Sequence, residues 1–245
     1  TLDHTEHNHV IELCVKTANG RVPVIAGTGS NSTAEAIMMT RHAEKTGADA
    51  ALVVVPYYNK PTQEGIYQHF IAIHDASHIP IILYDVPGRT IVRMELDTIL
   101  RLAELPRIVG IKDATGDLNQ PSKIKAALKG KRDDFCQLSG DDDTAIPFLE
   151  QGGVGCISVT SNIMPKECAE MHNLWQEERH DEARAIQQRL LPLHDVMFCE
   201  ASPGPVKYAA SIMGLCDPSI RLPLVLPSDL SQAKIRDVLE KVGLL

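Results

Sequence analysis

The chain has 245 residues, 44% of them hydrophobic, and a formal net charge of −8. That length accommodates one large α/β barrel or two small domains, and the net negative charge argues against nucleic acid and anionic membrane partners. No apolar run approaches the roughly 20 residues that span a bilayer; no signal peptide is visible, although the chain carries no initiator Met.

The six cysteines, Cys14, Cys136, Cys156, Cys168, Cys199 and Cys216, include no C-x-x-C pair. Free, buried thiols in a reducing cytoplasm are therefore expected.

Strand-like and helix-like segments alternate along the chain. Val22 to Ala26 reads as a short strand running into Gly27-Thr28-Gly29, with Pro23 tolerated only near its first residue. Thr33 to Lys45 reads as a helix capped by Ser32. Ala51 to Val55 is a second strand, closed by Pro56-Tyr57-Tyr58-Asn59. Gln63 to Ala76 is helical, Ile79 to Tyr84 a third strand, and Glu95 to Ala103 a helix. Ile108 to Lys112 is a fourth strand, apolar without alternation and so buried on both faces. Pro121 to Leu128 is a helix with proline in its first turn. Phe135 to Leu138 and Gly155 to Val159 are strands five and six, with a short helix from Thr144 to Gln151 between them. Helical patterns then fill Lys166 to Glu178, Asp181 to Phe198, Pro205 to Met213 and Leu230 to Val242.

Strands separated by helices of this length imply right-handed βαβ units and a parallel sheet. Polar, Gly- and Tyr-rich segments cluster just after the strands, where a barrel places its active site. Six strands are visible where a closed barrel needs eight, and an open doubly wound sheet could use six. No repeat, low-complexity tract or linker marks off a second domain.

Lys112 ends the fourth strand. A lysine there loses solvation, which favours the neutral amine, and a neutral amine can attack a ketone to form a Schiff base. Tyr84 ends the preceding strand, so both side chains enter one pocket, where a phenol can carry protons for carbinolamine formation and collapse. Arg89, in the loop after Tyr84, has the planar fork that clamps a carboxylate. Taken singly, these residues are also compatible with a snorkelling lysine, a core tyrosine and a surface arginine. Gly27-Thr28-Gly29-Ser30 lacks the lysine of a phosphate-binding loop. His4, His7 and His9 lack the further ligands of a zinc site, and Asp141-Asp142-Asp143 reads as a polar loop or helix cap rather than a cation site. No metal site is expected.

Tyr84-Asp85-Val86-Pro87-Gly88-Arg89-Thr90 and Gly110-Ile111-Lys112-Asp113-Ala114-Thr115-Gly116 resemble the two signatures of the dihydrodipicolinate synthase family of pyruvate-dependent class I aldolases. Further matches are Gly27-Thr28-Gly29, Pro56-Tyr57-Tyr58-Asn59-Lys60-Pro61, Leu138-Ser139-Gly140-Asp141-Asp142 and Ile157-Ser158-Val159-Thr160-Ser161-Asn162. They occur in family order and span essentially the whole chain. Asp85 stands where the motif more usually carries asparagine.

The resemblance implies a (β/α)8 TIM barrel with a C-terminal helical region, residues 1–165 belonging to the barrel and 166–245 to its last helix and the added helices. It implies a cytoplasmic lyase of lysine and diaminopimelate biosynthesis, usually a homotetramer built as a dimer of dimers. Lys112 would condense with pyruvate, with no cofactor beyond the covalent imine. Tyr84 would relay protons, and Tyr58 matches a tyrosine donated to that relay across a subunit interface. Arg89 would hold the carboxylate of aspartate semialdehyde, and Ile157, through its backbone, and Gly140 would line the substrate site. His4, His7, Asn31, Glu35 and Tyr57 match the cleft where L-lysine inhibits some members, and a carboxylate such as Glu35 suits an ammonium group.

The family carries a Gly-Thr-Thr-Gly-Glu-Ser loop just before the segment matching Thr1-Leu2. The expectation is therefore an N-terminally truncated form of a complete enzyme, lacking two strands and inactive as it stands. A sister aldolase, such as an N-acetylneuraminate lyase or a keto-sugar-acid aldolase, is the alternative, and Arg89 favours the synthase. A non-catalytic barrel is the third reading, which the joint presence of Tyr84 and Lys112 opposes.

Overall fold

A computed structural model describes residues 1–245. The chain divides into two compact units, one comprising Leu2–Gly140 with Glu150–Val154, the other Thr1, Asp141–Leu149 and Gly155–Leu245.

The first unit opens with helix α1 (His4–Ala18). Asp3 and Glu6 form a reciprocal capping box, the Glu6 amide donating to Asp3 Oδ1 at 2.8 Å and the Asp3 amide to Glu6 Oε2 at 3.1 Å. Asn19 closes the helix in the left-handed region at φ 47°. Strands β1 (Ile25–Gly27), β2 (Ala50–Val54), β3 (Ile81–Asp85), β4 (Ile108–Asp113) and β5 (Cys136–Ser139) pair in parallel in chain order. Between them lie α2 (Thr33–Thr46), α3 (Gln63–Ala76), α4 (Pro87–Thr90), α5 (Leu96–Ala103) and α6 (Gln120–Leu128). Ser32 and Thr62 cap α2 and α3 with their hydroxyls, and Gly47 ends α2 at φ 90°. Ala36, Val53, Ile66, Phe70, Ile73, Ile81, Leu83, Ile99, Leu102, Ile108 and Ile111 have no accessible surface. They form one core between the sheet and its helices. Gly110 lets β4 and β5 approach: a Cβ there would lie 2.3 Å from the Cys136 carbonyl oxygen.

The second unit holds α7 (Ala145–Glu150) up to Leu149, the two-residue strand β6 (Gly155–Cys156), a 3-10 turn at Thr160–Asn162, α8 (Pro165–Gln176), α9 (His180–Val196), α10 (Gly204–Ile212) and α11 (Asp229–Lys241). Its own core joins Leu174, Leu190, Leu193, Met197, Ala209, Ile235 and Leu239. No helix is long and apolar enough to cross a membrane.

All six expected strand segments form, with corrected limits. β1 starts at Ile25, because the Val24 amide is taken by the Asp49 carboxylate at 2.7 Å. β6 ends at Cys156 instead of Val159, because the Val159 and Thr160 amides turn to the Asp142 carboxylate. The cysteines are all free, but Cys14, Cys199 and Cys216 are exposed and only Cys168 is buried. Cys14 belongs to α1, where its neighbours Leu13 and Val15 do not enclose it.

Candidate active site

Parallel pairing puts Tyr84 opposite Lys112 and Asp85 opposite Asp113. Successive side chains of a strand alternate between faces, so Tyr84 and Lys112 share one face and the two aspartates the other. Lys112 Nζ lies 4.3 Å from the centroid of the Tyr84 ring. At that distance the aromatic face and the amine are in contact, and both side chains are half-buried.

Gly140, just past β5, makes the room Lys112 needs. A Cβ at Gly140 would stand 2.6 Å from Ala114 Cβ and 3.1 Å from Lys112 Cε. Its amide donates to the Asp113 carbonyl at 2.7 Å, which holds this loop against the end of β4.

A cavity of about 410 Å³ opens over the carboxyl ends of the first three strands, lined by Gly27, Gly29, Leu52, Val54, Tyr57, Tyr84, Val86, Arg89 and Thr90. Active sites of parallel α/β proteins lie at this edge. Arg89 sits in the one-turn helix α4, which starts on Pro87 and is tied down by the Thr90 hydroxyl donating to the Val86 and Val92 carbonyls at 3.1 and 2.7 Å. Gly29 is needed here, since a Cβ would come within 2.4 Å of the Val54 amide nitrogen.

Beside the cavity a second polar cluster assembles. His4 Nε2 meets Glu35 Oε1 at 2.6 Å, and the Ser30 hydroxyl donates to Glu35 Oε2. His7 Nε2 reaches the Gly27 carbonyl at 2.8 Å. The Ser30 hydroxyl first, and then the two histidines, hold the Glu35 carboxyl below the usual carboxylate range, despite some desolvation. Asn59 Nδ2 donates to the Asn31 carbonyl at 2.9 Å, which joins the loop after β2 to the start of α2. Tyr58 departs from the rest. It is 89% exposed, with φ at 71°, a backbone conformation a tyrosine rarely adopts. Its ring is not part of the cavity wall that Tyr57 helps to build.

In the second unit, Asp142 Oδ2 accepts from the amides of Val159 and Thr160 at 2.8 and 3.0 Å. Gln187 Nε2 donates to the carbonyls of Asp142 and Asp143 at 2.9 and 3.1 Å, and the Thr160 hydroxyl bonds His194 Nδ1 at 2.7 Å. The aspartate run thus fixes the backbone that follows Ile157. Ser30, Asn59, Thr90 and Asp142 are supporting residues to which the sequence assigned no part in the site. Each is a small polar residue in a segment that follows a strand.

Fold and site together define an α/β protein built on parallel βα units, with a lysine and a tyrosine in contact at the carboxyl edge of the sheet. The chain belongs to the dihydrodipicolinate synthetase family, whose sequence profile matches residues 1–242. It is 56% identical over 245 residues to 4-hydroxy-tetrahydrodipicolinate synthase of Rhodospirillum centenum, covering 100% of this chain and 83% of that protein. Among solved structures, the chloride-inhibited dihydrodipicolinate synthase of Acinetobacter baumannii, complexed with pyruvate, superposes with a TM-score of 0.96 at 47% identity, covering 100% of this chain and 83% of that one. The enzyme of Cyanidioschyzon merolae with lysine bound superposes at 0.95 with 38% identity and the same coverage. A monomeric dihydrodipicolinate synthase variant superposes at 0.96 with 39% identity, covering 100% of this chain and 82% of that one.

Proposed function

We propose that this protein condenses pyruvate with L-aspartate 4-semialdehyde to give 4-hydroxy-tetrahydrodipicolinate, through a Schiff base on Lys112. The observation that carries the proposal is the register pair Tyr84–Lys112, with the amine 4.3 Å from the ring centroid at the carboxyl edge of a parallel sheet. The lysine amine attacks the pyruvate carbonyl carbon, and the carbinolamine expels water to leave the imine. Tyr84 gives and takes the protons of those two steps. Loss of a methyl proton makes an enamine, whose carbon attacks the aldehyde of the second substrate; that substrate's own amine then attacks the imine carbon and expels the Lys112 amine, which closes the ring and frees the enzyme. No cofactor enters this scheme, because the protonated imine is itself the electron sink.

Arg89 faces the cavity that Tyr84 also lines, and it is the cation proposed to hold the carboxylate of the semialdehyde. Gly140, beside the Lys112 side chain, is proposed as a further substrate contact. Tyr58, exposed and held out on a left-handed turn, suits delivery to a neighbouring subunit, and the proposed assembly is a tetramer of paired dimers. An eight-stranded barrel to which residues 1–165 contribute six strands, with 166–245 supplying its last helix and added helices, belongs to the same reading. So does action in the cytoplasm, in lysine and diaminopimelate biosynthesis. What supports the barrel is the unbroken run of parallel βα units.

His4, His7, Asn31, Glu35 and Tyr57 are proposed as the site of feedback by L-lysine. Their support is the carboxylate of Glu35, already drawn toward two imidazoles and poised for a cationic amine. Tyr57 and Tyr58 are adjacent, which offers a short route between inhibitor and proton relay.

The test of substrate choice is turnover. Pyruvate should be consumed with aspartate semialdehyde and not released from N-acetylneuraminate. Cleavage of the sialic acid in preference to condensation would transfer the protein to the sister aldolases.

A further inference from the structure

The face of β3 and β4 opposite Tyr84 and Lys112 carries two buried carboxyls. Asp85 has no accessible surface and Asp113 is 4% exposed. They are register partners, and neighbouring strands lie about 4.8 Å apart, so the two side chains are neighbours on one face. Asp113 is satisfied: Oδ1 accepts from the Thr115 amide and Oδ2 from Gln120 Nε2, each at 2.9 Å. Asp85 is half satisfied. Its Oδ2 accepts from the Met94 amide at 3.1 Å, whereas Oδ1 is buried with no hydrogen-bond partner.

Two buried carboxylates side by side repel strongly, and a bare buried oxygen is costly. A proton on Asp85 removes the charge repulsion and turns the bare oxygen into a neutral hydroxyl on the face shared with Asp113. The surroundings offer little else. Arg93, from the segment after α4, is the cation whose field reaches both groups. It is already engaged by Gln120 at 2.6 Å and Asp117 at 3.8 Å. Gln120 of α6 is neutral, and Val55, which follows β2, is apolar.

We propose that Asp85 and Asp113 form a carboxyl pair holding one proton, and that this pair locks the ends of β3 and β4 together and so positions Tyr84 over Lys112. Each member directly follows one residue of the catalytic pair, and the Ala114 amide donates to the Asp85 carbonyl at 2.9 Å to close the same end. Burial first, and then the charge on Asp113, push the Asp85 carboxyl up to about 7. The unfolded chain releases this proton near 3.8. Between those values the folded state binds more protons, so the pair's contribution to stability is full below the lower value and falls as pH rises through the upper one. The lock is therefore tight in mild acid and loosens with alkalinity.

Asp85→Asn tests this, since the amide keeps an acceptor for Met94, places a donor on the face shared with Asp113 and cannot ionise. Its melting temperature should exceed the parent's by roughly 5–10 °C at about pH 8 and match it near pH 4. Infrared difference spectra of the parent should show a protonated carboxyl band that fades around neutrality and is absent from Asp85→Asn. The positioning role rests on the Schiff-base reading, and its readout is the rate of imine formation on Lys112. The variant-to-parent ratio should stay near one in mild acid and rise severalfold by about pH 8.5. A ratio independent of pH overturns the positioning role, and an absent carboxyl band, or a variant less stable than the parent at every pH, overturns the pair. If the parent traps no pyruvate at all, the proposed reaction fails while the band and the melting curves still judge the pair.

Discussion

Arg89 shows what a single residue contributes here. It shares a cavity wall with Tyr84 but sits on its own short helix, so its loss should spare the lysine chemistry. Arg89→Ala is expected to reduce condensation with aspartate semialdehyde about tenfold to a hundredfold, the cost of a lost charge-assisted hydrogen bond of roughly 1.5–3 kcal/mol, with imine formation from pyruvate near the parent rate. Parental condensation kinetics in this variant would remove Arg89 from the substrate site. Glu35 is the matching case for the proposed regulation. Its carboxylate gathers Ser30 and His4, and Glu35→Ala should weaken inhibition by L-lysine while leaving turnover close to normal. Inhibition curves that superimpose for parent and variant would return His4, His7 and Glu35 to the role of a local polar bridge. The meeting of Tyr84 and Lys112 was legible because each ends an apolar run, and their register pairs them, whereas Arg89 stood out only as the cation of the loop after Tyr84. Asp85 was visible only as an odd residue in a motif. Its meaning needed the register that sets it against Asp113.

At the scale of the element, strand ends and the loops that follow them decide the site. Gly140 illustrates this, because the space a methyl would fill is occupied by Ala114 and Lys112. Gly140→Ala should displace the lysine side chain and slow imine formation by tenfold or more, with little change in the apparent affinity for aspartate semialdehyde. A variant that forms the imine at the parental rate would show that the lysine has another route. Helix α3 was readable to the residue, Gln63–Ala76, from its pattern, and the structure adds Thr62 as its cap. Helix α1 was not placed among the elements, although its capping box of Asp3 and Glu6 is in the sequence. Helix α4 escaped because four residues, Pro87–Thr90, carry no period. The run Gly155 to Val159 has the composition of a strand, yet its last amides serve a carboxylate from another loop. Composition reports what a segment tolerates, and the competing partner decides what it does.

For the whole molecule, the parallel order of strands was legible because alternating periods imply βα units, whereas the two-unit division was not. It depends on residues 150–154 grouping with the first unit after an excursion through Asp141–Leu149, a property of three-dimensional packing. Acid and alkali also act on the molecule as a whole. Burial depresses His69 to about 4 from an ordinary 6.5, so its contribution to stability is lost as pH falls through that window, opposite in sign to Asp85 over nearly the same range. The parent's stability should accordingly be flatter between these values than either group alone would make it. The most direct measurement of the central claim is borohydride trapping followed by peptide mass spectrometry. Pyruvate plus borohydride should leave one reduced adduct, on Lys112, and Lys112→Ala should take none. Undiminished labelling of Lys112→Ala, or an adduct that maps to a different lysine in the parent, would contradict the assignment on which the proposed reaction stands.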